Sequence, residues 1–238
     1  MKLDILAIGV HPDDVEMCIA GTLLKHMDLG YKVGIIDLTQ GELGTRGTPE
    51  QRLEEAADAA RLMGVSAREN LGMRDGFFTD SEENQLKIIR MIRKYRPEIV
   101  FANAVRDRHP DHGRSAELES RACFLSGLRK IETELDGVSQ KAWRPKAVYH
   151  YIQDYRIPPD FCVDVTSYHE RKMEIIKCYK SQFFDPHSKE PQSPISAEDF
   201  LDYLASTSKI YGRPIGAEYG EGFTVARPIG VEDLLKLK

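Results

Sequence analysis

The stretch "LDILAIGVHPDDVEMCIAGT", Leu3 to Thr22, decides how the chain is read. Five of the six residues from Leu3 to Ile8 are apolar, as in a strand covered on both faces. His11, Asp13 and Asp14 follow at once, and Glu16 adds a third carboxylate. Adjacent carboxylates repel, and charges at a strand end are costly to desolvate unless something positive compensates them. From Val15 the pattern changes: Met17, Ile19, Ala20, Leu23, Leu24 and Met27 recur at helical spacing, with Gly30 as the stop. A buried strand running through a polar turn into a helix is the opening of an α/β chain.

The alternation continues. "YKVGIIDLT" reads as a second strand. "TPEQRLEEAADAARLMG" reads as a helix with Thr48 as N-cap, Pro49 in first position, Gln51 completing a capping box and Gly64 as terminator. Ser81 caps a further helix that ends before Pro97, and "EIVFANAV" is a strand. A helix begins near His112 and runs to about Arg129, "AVYHYI" and "FCVDV" are strands, and helices cover about 167–181 and 196–211. Such spacing predicts an α/β fold, a Rossmann-like three-layer arrangement with a mostly parallel sheet and helices on both faces. No linker or repeat divides the chain, so a single domain over 1–238 is expected.

Composition narrows the function. With 41% apolar and 30% charged residues and a net charge of −5, the 238-residue chain has an ordinary globular composition without a basic footprint for nucleic acid. Asp4 interrupts the apolar N-terminus, which is unlike a signal peptide, and no apolar run nears the roughly 20 residues of a membrane span. A cytoplasmic protein is expected, with Cys18, Cys123, Cys162 and Cys178 as reduced thiols.

In parallel sheets ligands bind beyond the carboxyl ends of the strands. "HPDD" follows the first strand, and "RDRHPDHG", Arg106 to Gly113, follows the strand at Ile99–Ala102. Histidine and aspartate suit zinc or another divalent transition ion. His11 and Asp14 are three positions apart, as are His109 and His112. Three protein ligands with an open position mark a catalytic ion, which lowers the pKa of a bound water to about 7. A carboxylate that is not a ligand can then take the proton, so paired aspartates permit one ligand and one base.

This pairing of "HPDD" with "HPDH" resembles the LmbE-like (PIG-L) zinc-dependent N-deacetylases, which act on N-acetylglucosaminyl compounds. "GTPEQRLEEAADAARLMG", "DRHPDHG", "SQF" and "YGEGF" most resemble the branch that deacetylates N-acetylglucosaminyl-malate in bacillithiol biosynthesis. The resemblance implies His11, Asp14 and His112 as metal ligands and Asp13 as general base. It implies His109 as donor to the leaving amine or the oxyanion, oriented by Asp111, with Arg52 and Arg108 contacting substrate. Two imidazoles and one carboxylate leave a zinc site formally +1, which would tolerate Asp13 beside Asp14. The branch carries a tyrosine where this chain has Phe200, so Tyr203, one turn later, is the expected substitute. Zn2+ is the expected cofactor, with Fe2+, Co2+ or Mn2+ as substitutes, and the resemblance implies a homo-oligomer such as a hexamer. The partner would be a small N-acetyl sugar, with neither nucleic acid nor membrane involved.

Plainer readings exist for each motif. Asp13, Asp14 and Glu16 are ordinary first-turn helix acids on capping grounds alone, Asp111 with Pro110 suffices to start a helix, and Arg52 in a charged helix could be a solvated ion-pair partner. A deacetylase of another N-acetyl sugar is a second reading. A nucleotide-binding module with a Mg2+-binding acidic rim is a third, though the first turn lacks G-x-G-x-x-G and Asp37 is then structural.

Overall fold

The computed structural model describes residues 1–236. Its centre is a seven-stranded sheet in the order β3-β2-β1-β4-β7-β9-β8. The chain forms β1 (Ile5–Gly9), α1 (Asp14–Asp28), β2 (Val33–Thr39), α2 (Pro49–Met63), β3 (Ala67–Met73), α3 (Glu82–Tyr95), β4 (Ile99–Ala102) and α4 (Pro110–Leu125). A two-stranded hairpin, β5 (Glu134–Leu135) and β6 (Val138–Ser139), precedes β7 (Ala147–Tyr151) and β8 (Phe161–Asp164). Then come α5 (His169–Ile176), α6 (Phe200–Gly212) and β9 (Gly220–Val225).

β1 pairs in parallel with β2 (Ile5 opposite Val33) and with β4 (Ile5 opposite Ile99). β3 and β7 extend the parallel set at either side. β9 runs antiparallel to both β7 and β8, so it alone is reversed. The expected mostly parallel α/β sheet is what forms.

Strand alternation divides the interior into two cores. Ile5, Ala7, Val33 and Ile35 face α1, α2 and α5, where Ile19, Leu23, Ala56 and Ile176 cover them. Leu6, Ile8, Ile36 and Leu38 face α3 and α4, against Ile88, Ile92 and Leu118. Helices on both faces complete three layers. Thr48 accepts the Gln51 amide at 3.2 Å and Gly64 ends α2 at φ 85°. Ser81 accepts the Asn84 amide at 3.3 Å at the start of α3.

Some elements escape the sequence reading. β3, "ARENLGM", is a half-buried edge strand with charged side chains, and its composition reads as a loop. β9, "GEGFTV", is concealed by its glycines, which the fold requires. A Cβ on Gly220 would lie 2.7 Å from backbone atoms of Tyr211 and Gly212, so only glycine lets α6 approach β9. The helix expected over 167–181 is a 3-10 turn at Thr166–Tyr168 followed by the shorter α5. The helix expected from 196 begins at Phe200, after a 3-10 turn at Pro194–Ser196.

Two buried charge clusters tie α1 to the rest. Lys172 of α5 meets Glu221 of β9 at 2.7 Å, and Glu221 also accepts the Gly21 and Thr22 amides of α1. Glu16 is fully buried and bonded to Arg68 and to the Tyr179 hydroxyl, while Arg68 also grips Asp37 through two nitrogens. Glu16 is therefore not the ordinary first-turn helix acid that the sequence leads one to expect, and Asp37 is structural.

Candidate metal centre

From β1 the chain proceeds to one side of the sheet through β2, and from β4 to the other through β7. The carboxyl ends of β1 and β4 thus flank the point where strand order reverses, which is where such sheets open a crevice. His11, Asp13 and Asp14 leave the end of β1, and His109, Asp111 and His112 open α4 after β4.

The structure brings these residues together. The Asp14 carboxylate lies between two imidazoles, with Oδ2 3.7 Å from His11 Nδ1 and Oδ1 3.2 Å from His112 Nε2. Donors bound tetrahedrally at zinc distances sit about 3.3 Å apart, so these separations suit a divalent ion. Each donor is aimed by a second contact. His11 Nε2 is 3.0 Å from Asp75, which leaves Nδ1 toward Asp14. His112 Nδ1 is 2.6 Å from Asp107, which leaves Nε2 inward. Asp14 Oδ2 accepts the Val10 and His11 amides and Asn103 Nδ2, and Oδ1 accepts from Gln153 Nε2. Carboxylates behind ligating histidines fix their tautomer and raise their basicity. Donor atoms lie within 4.8 Å of one another in two groups, His11 with His109 and His112, and His11 with Asp75 and Asp111. The second would consume the Asp75 contact that orients His11, and Asp14 reaches His11 and His112 through different carboxylate oxygens.

Electrostatics divide the adjacent aspartates. Burial, together with the neighbouring Asp14 charge, pushes Asp13 up to about 7, although Arg52 lies 2.9 Å away. For Asp14, burial is outweighed by the His112 and His11 contacts, which hold it well below the usual carboxylate range. Burial likewise opposes, but does not overcome, the Asp14 and Asp107 charges that raise His112 to about 10. His109 is lowered by burial and then by the neighbouring histidines. Asp13 is also strained: φ is 128° and ψ −27°, a region that non-glycine residues rarely occupy.

Of the remaining expected residues, Arg52, Arg108 and Tyr203 line the same cavity of about 320 Å3, and Asp111 lies behind it, fully buried. Arg52 is buried rather than solvated, with Nη2 on the Pro12 carbonyl and on Asp13. Arg108 pairs with Asp154 at 2.5 Å. Tyr203 donates to the Asp154 carbonyl at 3.0 Å and stacks near Phe200. Asp111 departs from expectation. Its amide, not its carboxylate, meets His109 Nδ1 at 3.3 Å. The carboxylate turns instead to the Gly76 amide and to Arg114, both more favourable partners than a neutral ring.

Sequence reasoning misses Asp75, Asn103, Asp107 and Gln153. All four follow the carboxyl ends of β3, β4 or β7, and that position is their available signal. Asp75 stays hidden because β3 does not read as a strand.

Residues 6–123 match the family model PIG-L, described as GlcNAc-PI de-N-acetylase. The diacetylchitobiose deacetylase of Thermococcus kodakarensis is 28% identical over 230 residues, 92% of this chain and 81% of its own. The probable N-acetyl-alpha-D-glucosaminyl L-malate deacetylase 2 of Bacillus anthracis is 25% identical over 195 residues, 75% of this chain and 81% of its own. The crystal structure of the conserved protein TT1542 from Thermus thermophilus superposes with a TM-score of 0.86 at 32% identity, covering 98% of both chains. By this family match and by likeness over nearly its whole length, the chain belongs to the PIG-L (LmbE-like) deacetylase family.

Proposed function

We propose that the chain is a metal-dependent hydrolase that removes the N-acetyl group from N-acetylglucosaminyl-malate. The observation that carries the hydrolase reading is the unequal pair: Asp14 bracketed by two oriented histidines, and Asp13 buried beside it, outside the donor set. His11 Nδ1, Asp14 and His112 Nε2 hold the ion, with zinc first and Fe(II), Co(II) or Mn(II) able to use the same donors. When bound, the ion supplies Lewis-acid activation of water and of the amide carbonyl.

The chain's own groups do the rest. Arg52 holds Asp13 Oδ2, while Oδ1 has no hydrogen-bond partner among the described residues and is free to accept the proton of the attacking water. His109 accepts the Asp111 amide at Nδ1, so the neutral ring carries its proton on Nε2. That N–H donates to the oxygen of the attacked amide, and the proton held by Asp13 passes to the departing nitrogen. Tyr203, already engaged by Asp154, braces the cavity wall beside Arg108. One catalytic domain over 1–238 and a homo-oligomer such as a hexamer belong to the same proposal, and light scattering checks the assembly.

The malate conjugate is favoured by arginines along the cavity and by the Bacillus anthracis relative. A disaccharide substrate is the second reading, favoured by the Thermococcus relative. An amine-release assay on N-acetylglucosaminyl-malate, N-acetylglucosamine and a chitin disaccharide separates them. Turnover that depends on malate supports the proposal, and preferential turnover of the disaccharide replaces it.

A further inference from the structure

Three arginines line the cavity, and their partners differ. Arg52 is engaged through Nη2 by Pro12 and Asp13 and through Nη1 by the Gly41 carbonyl at 3.4 Å. Arg108 is 40% exposed at its side chain and paired with Asp154. Arg46 is only 4% exposed. Its Nε donates to the Ser181 carbonyl at 3.0 Å, and its own carbonyl accepts Gln182 Nε2 at 2.8 Å. Glu190 Oε2 lies 3.8 Å from that same Nε, while its other oxygen accepts the Gly47 amide. Neither Nη of Arg46 has a hydrogen bond among the described residues.

Both NH2 groups of this largely buried guanidinium stay open to the cavity, where water or the acceptors of a ligand can meet them. Its planar fork suits the paired oxygens of a carboxylate or phosphate better than a single hydroxyl. We propose that Arg46 recognises an anionic group, carboxylate or phosphate, on the aglycone of the substrate and so sets specificity. The inference rests on the reading of this cavity as an N-acetylglucosaminyl deacetylase site. The rival account is mechanical: Arg46 is a strut holding residues 44–48 against Ser181 and Gln182.

The test compares kcat/KM of wild type, R46K and R46Q on three substrates: N-acetylglucosaminyl-malate, N-acetylglucosamine 1-phosphate and methyl N-acetylglucosaminide. Wild type should prefer one anionic substrate over the methyl glycoside at least tenfold, and which one identifies the anion. R46Q should cut that ratio tenfold or more through KM, and R46K, which keeps the charge, should retain part of it. A ratio unchanged in R46Q, with all three substrates slowed alike, would establish the strut and overturn the proposal. Calorimetric affinity for glucosaminyl-malate, the deacetylated product, needs no turnover. A tenfold or greater loss in R46Q supports anion recognition even if no substrate is deacetylated, in which case the hydrolase reading alone fails. Deacetylation with equal product affinity in wild type and R46Q leaves the hydrolase reading standing and removes the role of Arg46.

Discussion

Asp13 concentrates strain and charge in one residue, and the two can be separated. At φ 128° a side chain is disfavoured, whereas glycine occupies such angles readily. Both Asp13→Gly and Asp13→Ala remove the carboxylate beside Arg52, so their difference reports the backbone. Denaturant unfolding of the ion-free variants should show Asp13→Gly more stable than Asp13→Ala by about 1–2 kcal/mol, and equal stability would contradict the strain. Asp107 and Asp75 act through the histidines they touch. Asp107→Asn should weaken ion affinity by about 10- to 100-fold in a chelator competition while leaving the fold intact. The histidines of "HPDD" and "HPDH" are legible because strand ends draw ligand chemistry. Asp107 lies two residues before the second motif and carries no role in it, since its contact with His112 depends on a loop that brings Nδ1 to within 2.6 Å. Likewise, no spacing rule tells that the Asp111 carboxylate turns to Gly76 rather than to His109.

At the scale of elements, helix caps are the most readable feature because they are local. Thr48 and Ser81 each satisfy an orphan amide three residues on. β3 and β9 are not readable, because a charged edge strand and a glycine-rich strand exist only through their neighbours. Glu16 is the same lesson in a helix: its capping role is a local reading, and its partners Arg68 and Tyr179 come from distant elements. The Lys172–Glu221 pair fastens α5, β9 and α1 beside the cavity. Removing one partner strands a buried charge, so Lys172→Met should cost about 3–5 kcal/mol in unfolding free energy. The double variant Lys172→Met with Glu221→Gln should recover part of that loss, because glutamine removes the stranded charge and keeps one of the two acceptors that the α1 amides use. No recovery would show that the pair contributes through packing alone.

For the whole molecule, the two cores and the order of β1 to β4 follow from alternating strands and helices, which is why the parallel sheet is foreseeable. The reversed β9 is not, since only its fit against α6 places it. One global pH dependence follows from Glu119, fully buried on α4 with Oε2 on the Asn103 amide. Burial raises its pKa well above the usual value, so the folded protein keeps this proton at pH values where the unfolded chain releases it. This contribution to stability therefore falls as pH rises above the unfolded value near 4.5. Glu119→Gln lacks that proton linkage. From pH 5 to pH 8 its stability relative to wild type should improve by at least about 1 kcal/mol, and a constant difference would contradict the protonated state.

The central claim is the division of labour between two neighbouring carboxylates in a family metal site. Metal content and amine release from N-acetylglucosaminyl-malate, measured on the same preparations of wild type, Asp13→Asn and Asp14→Ala, test it most directly. The account predicts that Asp13→Asn keeps one ion per chain and loses about 1000-fold in kcat, while Asp14→Ala loses the ion. Equal loss of metal in both variants, or wild-type turnover in Asp13→Asn, would contradict it.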